Sequence, residues 1–226
     1  MAGIDIVELK KTVLENNDAD ADRLRDELRS RGTFYLNVMS SPGAGKTSTI
    51  LATVRAIDGR LAVGVMEADI DSDVDARRVA EAGVPAVQLH TGGMCHLDAD
   101  MSRQGLAALA ESAPEGGFDL VILENVGNLV CPAEFDAGAS ANVAILSVPE
   151  GDDKPLKYPL MFETCDAVLV NKVDALPAFD FDMGRFRANV AMRNPDAPVF
   201  PVSAVTGEGV AEWVEWLEQR VAAWRG

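Results

Sequence analysis

Runs of Val, Ile, Leu and Ala recur along the chain at 34–39, 61–67, 86–90, 120–124, 143–148, 167–170 and 199–202. They are apolar without a clean alternation, the pattern of strands covered on both faces. Between them, apolar positions three and four apart predict helices over 46–57, 73–82, 98–112, 185–193 and 208–224. Strand and helix in alternation predict a mostly parallel sheet flanked by helices. In such sheets ligands sit at the carboxyl ends of the strands. Residues 5–31 read as a helical arm, interrupted at Asn16-Asn17-Asp18 and resumed by a heavily charged stretch over 19–30. The expected organisation is an N-terminal arm over 1–31 and one α/β domain over 32–226.

Composition narrows the function classes. The 226 residues are 48% apolar and 25% charged, ordinary values for a globular chain with a substantial core. No apolar run approaches the ~20 residues of a membrane span, and residues 1–11 carry no signal-peptide core. A cytoplasmic location without a membrane partner is expected. The net charge of -16 repels phosphate backbones and speaks against nucleic acid as a partner. Three cysteines, an odd number, point to free thiols or metal ligands rather than a disulfide framework.

The most informative run is Ser40-Ser41-Pro42-Gly43-Ala44-Gly45-Lys46-Thr47, between a predicted strand and a predicted helix. That context defines the phosphate loop of nucleoside triphosphatases, so the expected fold class is α/β of the P-loop NTPase type. Gly43 and Gly45 let successive N–H groups of the loop, through Ala44 to Ser48, converge on phosphate oxygens. The positive end of the following helix adds to that field. Lys46 can reach the β- and γ-phosphates, and the Thr47 hydroxyl can ligate Mg²⁺. One departure is visible: Ser40 stands where the usual spacing has glycine.

A second motif names the base. Asn171-Lys172-Val173-Asp174 follows an apolar run, and a carboxylate at Asp174 can accept the N1–H and exocyclic amine of guanine, which adenine does not offer in that arrangement. Asn171 can serve the other edge of the base or tie loops together, and the Lys172 stem can lie over the ring. Ser203-Ala204 fits a loop whose backbone amide meets the guanine carbonyl. GTP and GDP are therefore the expected ligands.

Acidic residues supply the Mg²⁺ side. Glu124 ends a strand and opens Glu124-Asn125-Val126-Gly127, where the Gly127 N–H can meet the γ-phosphate. Asn128 follows, one methylene shorter than the glutamine that orients water in many signalling GTPases, so slow intrinsic hydrolysis is expected. The stretch from Glu67 to Asp75 is the second acidic candidate. Asp69 and Asp75 are the residues expected to ligate Mg²⁺ or position water, most of the others being capping or solvated carboxylates.

A third constellation is metal-binding. Cys95-His96 lies in a Gly-rich polar loop, and Cys131 lies four residues beyond Gly127. Two thiolates and an imidazole suit Zn²⁺ or Ni²⁺ and leave a coordination position open. Cys165 reads as a small buried hydrophobe.

Together, Ser-Ser-Pro-Gly-Ala-Gly-Lys-Thr, Met-Cys-His-Leu-Asp-Ala, Glu-Asn-Val-Gly-Asn-Leu-Val-Cys-Pro and Lys-Pro-Leu-Lys-Tyr-Pro resemble the HypB GTPases, which assist nickel insertion into [NiFe]-hydrogenase. The resemblance implies GTP hydrolysis, GTP-promoted homodimers sharing a metal site, and cooperation with a HypA-like nickel chaperone in serving a hydrogenase large-subunit precursor. Some members carry an N-terminal Cys-x-x-Cys-Gly-Cys motif or a His-rich tract. The residues before Gly32 include neither Cys nor His, so metal handling is expected to rest on Cys95, His96 and Cys131. The urease-accessory UreG GTPases share this logic but typically present Cys-Pro-His. A metal-storage or regulatory GTP-binding protein, or a regulatory GTPase with a structural zinc, would use the same residues without delivering metal.

Overall fold

The computed structural model describes residues 9–69 and 73–226. The start of the expected arm and Asp71 lie outside the described residues. In chain order the elements are α1 (Leu9–Arg31), β1 (Phe34–Ser40), α2 (Lys46–Ile57), β2 (Val63–Asp69), α3 (Val74–Glu81), β3 (Ala86–His90) and α4 (Ala99–Ala110). Then come β4 (Leu120–Glu124), α5 (Cys131–Glu134), β5 (Ala141–Ser147), α6 (Lys154–Lys157), α7 (Pro159–Glu163), β6 (Ala167–Asn171), α8 (Met183–Ala191), β7 (Val199–Pro201) and α9 (Val210–Arg225). All seven strands pair in parallel, in the order β3-β2-β4-β1-β5-β6-β7. This is the parallel P-loop sheet that the strand–helix alternation implies.

The inner strands β1, β4 and β6 are buried along their whole length, whereas the edge strands β3 and β7 are half-buried. One face packs Leu36, Val38 and Ile145 against Ile50 of α2 and Trp213 and Leu217 of α9. Trp213 Nε1 donates to Thr53 Oγ1 at 2.9 Å, so the indole keeps a partner in the core. The opposite face carries two clusters. Phe162 of α7 and Phe186 of α8 belong to one, and Leu109 of α4 with Tyr35 and Leu123 of the sheet to the other, which also takes in Leu24 and Leu28 of α1.

The helical arm differs from the sequence expectation. α1 runs unbroken through Asn16-Asn17-Asp18. Its Leu24 and Leu28 are buried in the core, each stabilising by about 1.5–3 kcal/mol. Asn17 is buried as well: its Nδ2 donates to Asp136 O at 2.9 Å, and its Oδ1 accepts from Ala99 N at 3.0 Å. A residue that reads as a helix breaker is kept in the helix by two tertiary hydrogen bonds, which outweigh its weak propensity.

Candidate nucleotide site and adjoining metal centre

β1 ends at Ser40 and delivers the loop directly to α2, which opens on Lys46 and Thr47. Gly45 has φ 93°, and a β-carbon there would stand 2.5 Å from Asn171 Nδ2, so both the turn and its neighbour require glycine. Ser40, in the place usually held by glycine, is buried, and its hydroxyl accepts from Lys46 Nζ at 3.1 Å. Lys46 is thereby parked beside the loop, 4.0 Å from Glu124 Oε1. The Thr47 hydroxyl donates to Glu124 Oε1 at 3.1 Å.

A cavity of about 610 Å³ opens over this loop. Its wall brings together Gly43, Gly45, Lys46, Thr47, Ser48, Asp69, Asp75, Glu124, Gly127 and Lys172. Gly127 lies close to the loop, since a β-carbon there would stand 3.1 Å from the Pro42 ring. Asp75 is paired with Arg78 at 3.1 Å, and Arg78 faces the same cavity.

Ala44, within the loop, and Asn171, Asp174, Ser203 and Ala204, at and beyond the ends of β6 and β7, do not line the cavity but stand behind it. Asn171 Nδ2 donates to Ala44 O at 3.0 Å, and its Oδ1 accepts from Ala204 N at 3.2 Å. Asn171 thus ties loops rather than pointing outward, one of its two expected roles. Lys172 sits in a left-handed backbone conformation, φ 62°, and its Nζ donates to Gly43 O at 2.7 Å. Ser203 Oγ donates to Asp174 Oδ1 at 2.6 Å and accepts from Thr206 N, which fixes the carboxylate.

Glu67 overturns a sequence expectation. It reads as a solvated or capping residue, yet it is 3% exposed and lies opposite Glu124 in the β2–β4 register. Burial first, and the adjacent Glu124 second, push its carboxyl up to about 11. Burial also raises Glu124, against the opposing pull of Lys46. The signal was present: a carboxylate inside an apolar strand run is either misplaced or functional. Sequence reading also passed over Arg78, Gln88 and Asn125 as cavity residues. Asn125 is fully buried, and its Nδ2 donates to Asn37 Oδ1 at 3.0 Å, which anchors the start of the Gly127 segment to β1. Asn128 is turned into its own loop and does not line the cavity, its Oδ1 accepting from Val130 N at 2.8 Å.

The Gly127 segment continues into α5, whose first residue is Cys131. The Cys95-His96 loop leaves β3 and ends where Asp98 caps α4 by accepting from Met101 N at 2.8 Å. The ligating atoms of Cys95, His96 and Cys131 all lie within 4.8 Å of one another. His96 stacks on Phe135 with ring centroids 3.8 Å apart, which orients the imidazole, and burial lowers its affinity for a proton. A hydrogen bond with Cys95 first, burial second and repulsion between the two sulfurs as thiolates third raise Cys131. Cys165 stands apart as a buried thiol, donating to Phe162 O and pushed up to about 12 by burial.

Fold and cavity define a P-loop nucleotide-binding domain with a thiol–imidazole cluster on the same end of the sheet. A profile of the family described as CobW/HypB/UreG, nucleotide-binding domain, matches residues 35–201. The hydrogenase maturation factor HypB of Azotobacter vinelandii is 47% identical over 215 residues, covering 95% of this chain and 70% of that protein. The crystal structure of HypB from Helicobacter pylori in complex with nickel is similar with a TM-score of 0.87 at 36% identity, covering 92% of this chain and 96% of that one. The crystal structure of the hydrogenase maturation factor HypB from Archaeoglobus fulgidus gives 0.83 at 36% identity, covering 92% and 100%. The chain belongs to the CobW/HypB/UreG nucleotide-binding family, within its HypB branch.

Proposed function

We propose that this protein is a GTP-hydrolysing metallochaperone that assists nickel insertion into [NiFe]-hydrogenase, its metal centre coupled to the nucleotide state. The observation that carries the reading is a covalent joint: Gly127 lines the phosphate cavity, and Cys131, four residues on, belongs to the Cys-His-Cys cluster. The relatives that carry the HypB name support the hydrogenase as the client.

In this reading Asp174 accepts the N1–H and amine of guanine, held in place by Ser203. Lys46 leaves Ser40 for the β- and γ-phosphates, where it offsets charge developing during phosphoryl transfer. Thr47 and Glu124 would hold Mg²⁺, with Asp69 and Asp75 on the same wall; Glu124 Oε2 is buried with no hydrogen-bond partner, which fits a cation ligand. When bound, that ion neutralises charge on the phosphate oxygens. Asn128 is turned into its own loop, which supports slow turnover by the isolated chain.

The cargo is Ni²⁺, with Zn²⁺ as the competing ion, held by Cys95, His96 and Cys131 with a coordination position left open. A GTP-promoted homodimer, a HypA-like nickel chaperone and the hydrogenase large-subunit precursor are the proposed partners. The test is phosphate release from GTP and from ATP, with Ni²⁺ binding measured on the wild type and on a Cys95→Ala/His96→Ala/Cys131→Ala variant. GTP-selective turnover and loss of stoichiometric Ni²⁺ in the variant are expected. Equal use of ATP, or undiminished Ni²⁺ binding without the trio, would sink the reading.

A further inference from the structure

Beside Glu124 the sheet places a second carboxylate. β2 and β4 run parallel with Glu67 opposite Glu124, so both side chains leave the same face and both line the phosphate cavity with Thr47. Glu67 is 3% exposed and Glu124 6%. Glu67 Oε1 and Glu124 Oε2 are each buried with no hydrogen-bond partner. The nearby ammonium of Lys46 donates to Ser40 Oγ at 3.1 Å and stands 4.0 Å from Glu124 Oε1. Without a cation a protonated Glu67 donates to Glu124, yet one oxygen of each carboxyl stays without a partner, and the nearby lysine is itself required at the phosphates. Buried acids are tolerated where they are paired or coordinate a metal.

We infer that Glu67 is a second carboxylate ligand of the divalent cation that accompanies the nucleotide phosphates, joining Glu124 and Thr47. The inference rests on the nucleotide-binding reading above. It gives the phosphate cavity an all-oxygen donor set, which suits Mg²⁺ or Mn²⁺, while the neighbouring thiol–imidazole cluster suits Ni²⁺ or Zn²⁺. Two cations are thereby sorted by donor chemistry on one end of one sheet.

The experiment uses the full chain, wild type and Glu67→Gln, with Mn²⁺ as the probe, followed by electron paramagnetic resonance in the presence of GDP and, in parallel, ADP. Glutamine keeps the shape of glutamate and donates to Glu124 as the protonated Glu67 does, but it cannot lose a proton to become an anionic ligand for the cation. The expected result is one Mn²⁺ per bound nucleotide in the wild type and an affinity lower by about tenfold or more in Glu67→Gln, the scale on which residues around a metal site act. Nucleotide affinity in EDTA should match that of the wild type, because without a cation Glu67 is already neutral. The melting temperature in EDTA should be no lower, while the rise caused by Mg²⁺ with GDP should shrink.

Mn²⁺ affinity within twofold of wild type would overturn the inference. So would a lower melting temperature of Glu67→Gln in EDTA, because Glu67 would then be a structural group. If Mn²⁺ is taken up with ADP as well as with GDP, the guanine reading fails on its own. The comparison of wild type with Glu67→Gln still decides the role of Glu67.

Discussion

At the scale of single residues, the proposed function rests the choice of base on Asp174. Its carboxylate accepts from Ser203 Oγ at 2.6 Å, which fixes its direction without consuming its acceptor capacity. Asp174→Asn reverses the donor pattern at one edge of the base. GTP affinity should fall by about a hundredfold or more, and xanthosine triphosphate should gain. Competition binding with GTP, ATP and xanthosine triphosphate checks this, and equal wild-type affinity for ATP and GTP would refute the assignment. The same proposal rests the chemistry on Lys46. Lys46→Ala should lower GTP turnover at least about a hundredfold with an unchanged circular-dichroism spectrum. Turnover at the wild-type rate would mean that the phosphate loop has been misassigned. The neighbouring Glu67 shows where residue-level reading stops. Sequence places it in an acidic stretch, and only the pairing register places it, buried, against Glu124 in the cavity wall.

At the scale of elements, α1 and the start of α9 make the sharpest demands. Asn17 joins α1 to both metal-bearing segments, through Ala99 N at the start of α4 and Asp136 O beyond α5. Asn17→Leu leaves a buried N–H and a buried C=O without partners. It should cost about 1–3 kcal/mol in urea unfolding and weaken Ni²⁺ binding at Cys95, His96 and Cys131. A change within experimental error in both would show that the helix docks without this clamp. Gly209 precedes α9 with φ 69°, and a β-carbon there would stand 1.9 Å from Pro201 O. Gly209→Ala should therefore destabilise by about 2 kcal/mol or more, and it should loosen the Ser203-Ala204 loop that backs Asp174.

The strands and long helices were legible because burial on both faces leaves an apolar run, and the phosphate loop because its spacing is rigid. The continuity of α1 was not legible: Asn17 weakens a helix locally, and the bonds that compensate come from residues about 80 and 120 positions away. The short helices α5, α6 and α7 were missed for a related reason. At four or five residues each they carry no readable period, and they fold because the surrounding chain packs them.

At the scale of the whole molecule, one end of the sheet carries both the phosphate cavity and the metal cluster, and the 127–131 segment belongs to both. Asn125 pins the root of that segment to β1, so displacement at Gly127 is passed forward toward Cys131 rather than back into the strand. In the proposed reading a γ-phosphate arriving beside Pro42 and Gly127 moves or orders this segment, and with it one of the three proposed metal ligands. Linkage then fixes the size of the reciprocal effect: metal must alter GTP affinity by the factor by which GTP alters metal affinity. Coupling of this kind amounts to about 5- to 150-fold. The net charge of -16 raises the local concentration of any cation equally and adds no selectivity, so it contributes no coupling of its own. The prediction is checked by titrating Ni²⁺ and Zn²⁺ into protein loaded with GDP and with a non-hydrolysable GTP analogue, beside Cys131→Ala. The wild type should show affinities that differ between the two nucleotide states. Cys131→Ala should bind more weakly and lose that difference, because its remaining ligands, Cys95 and His96, lie on a loop outside the moving segment. Identical affinity and stoichiometry in both nucleotide states would leave a GTPase that carries a metal without commanding it.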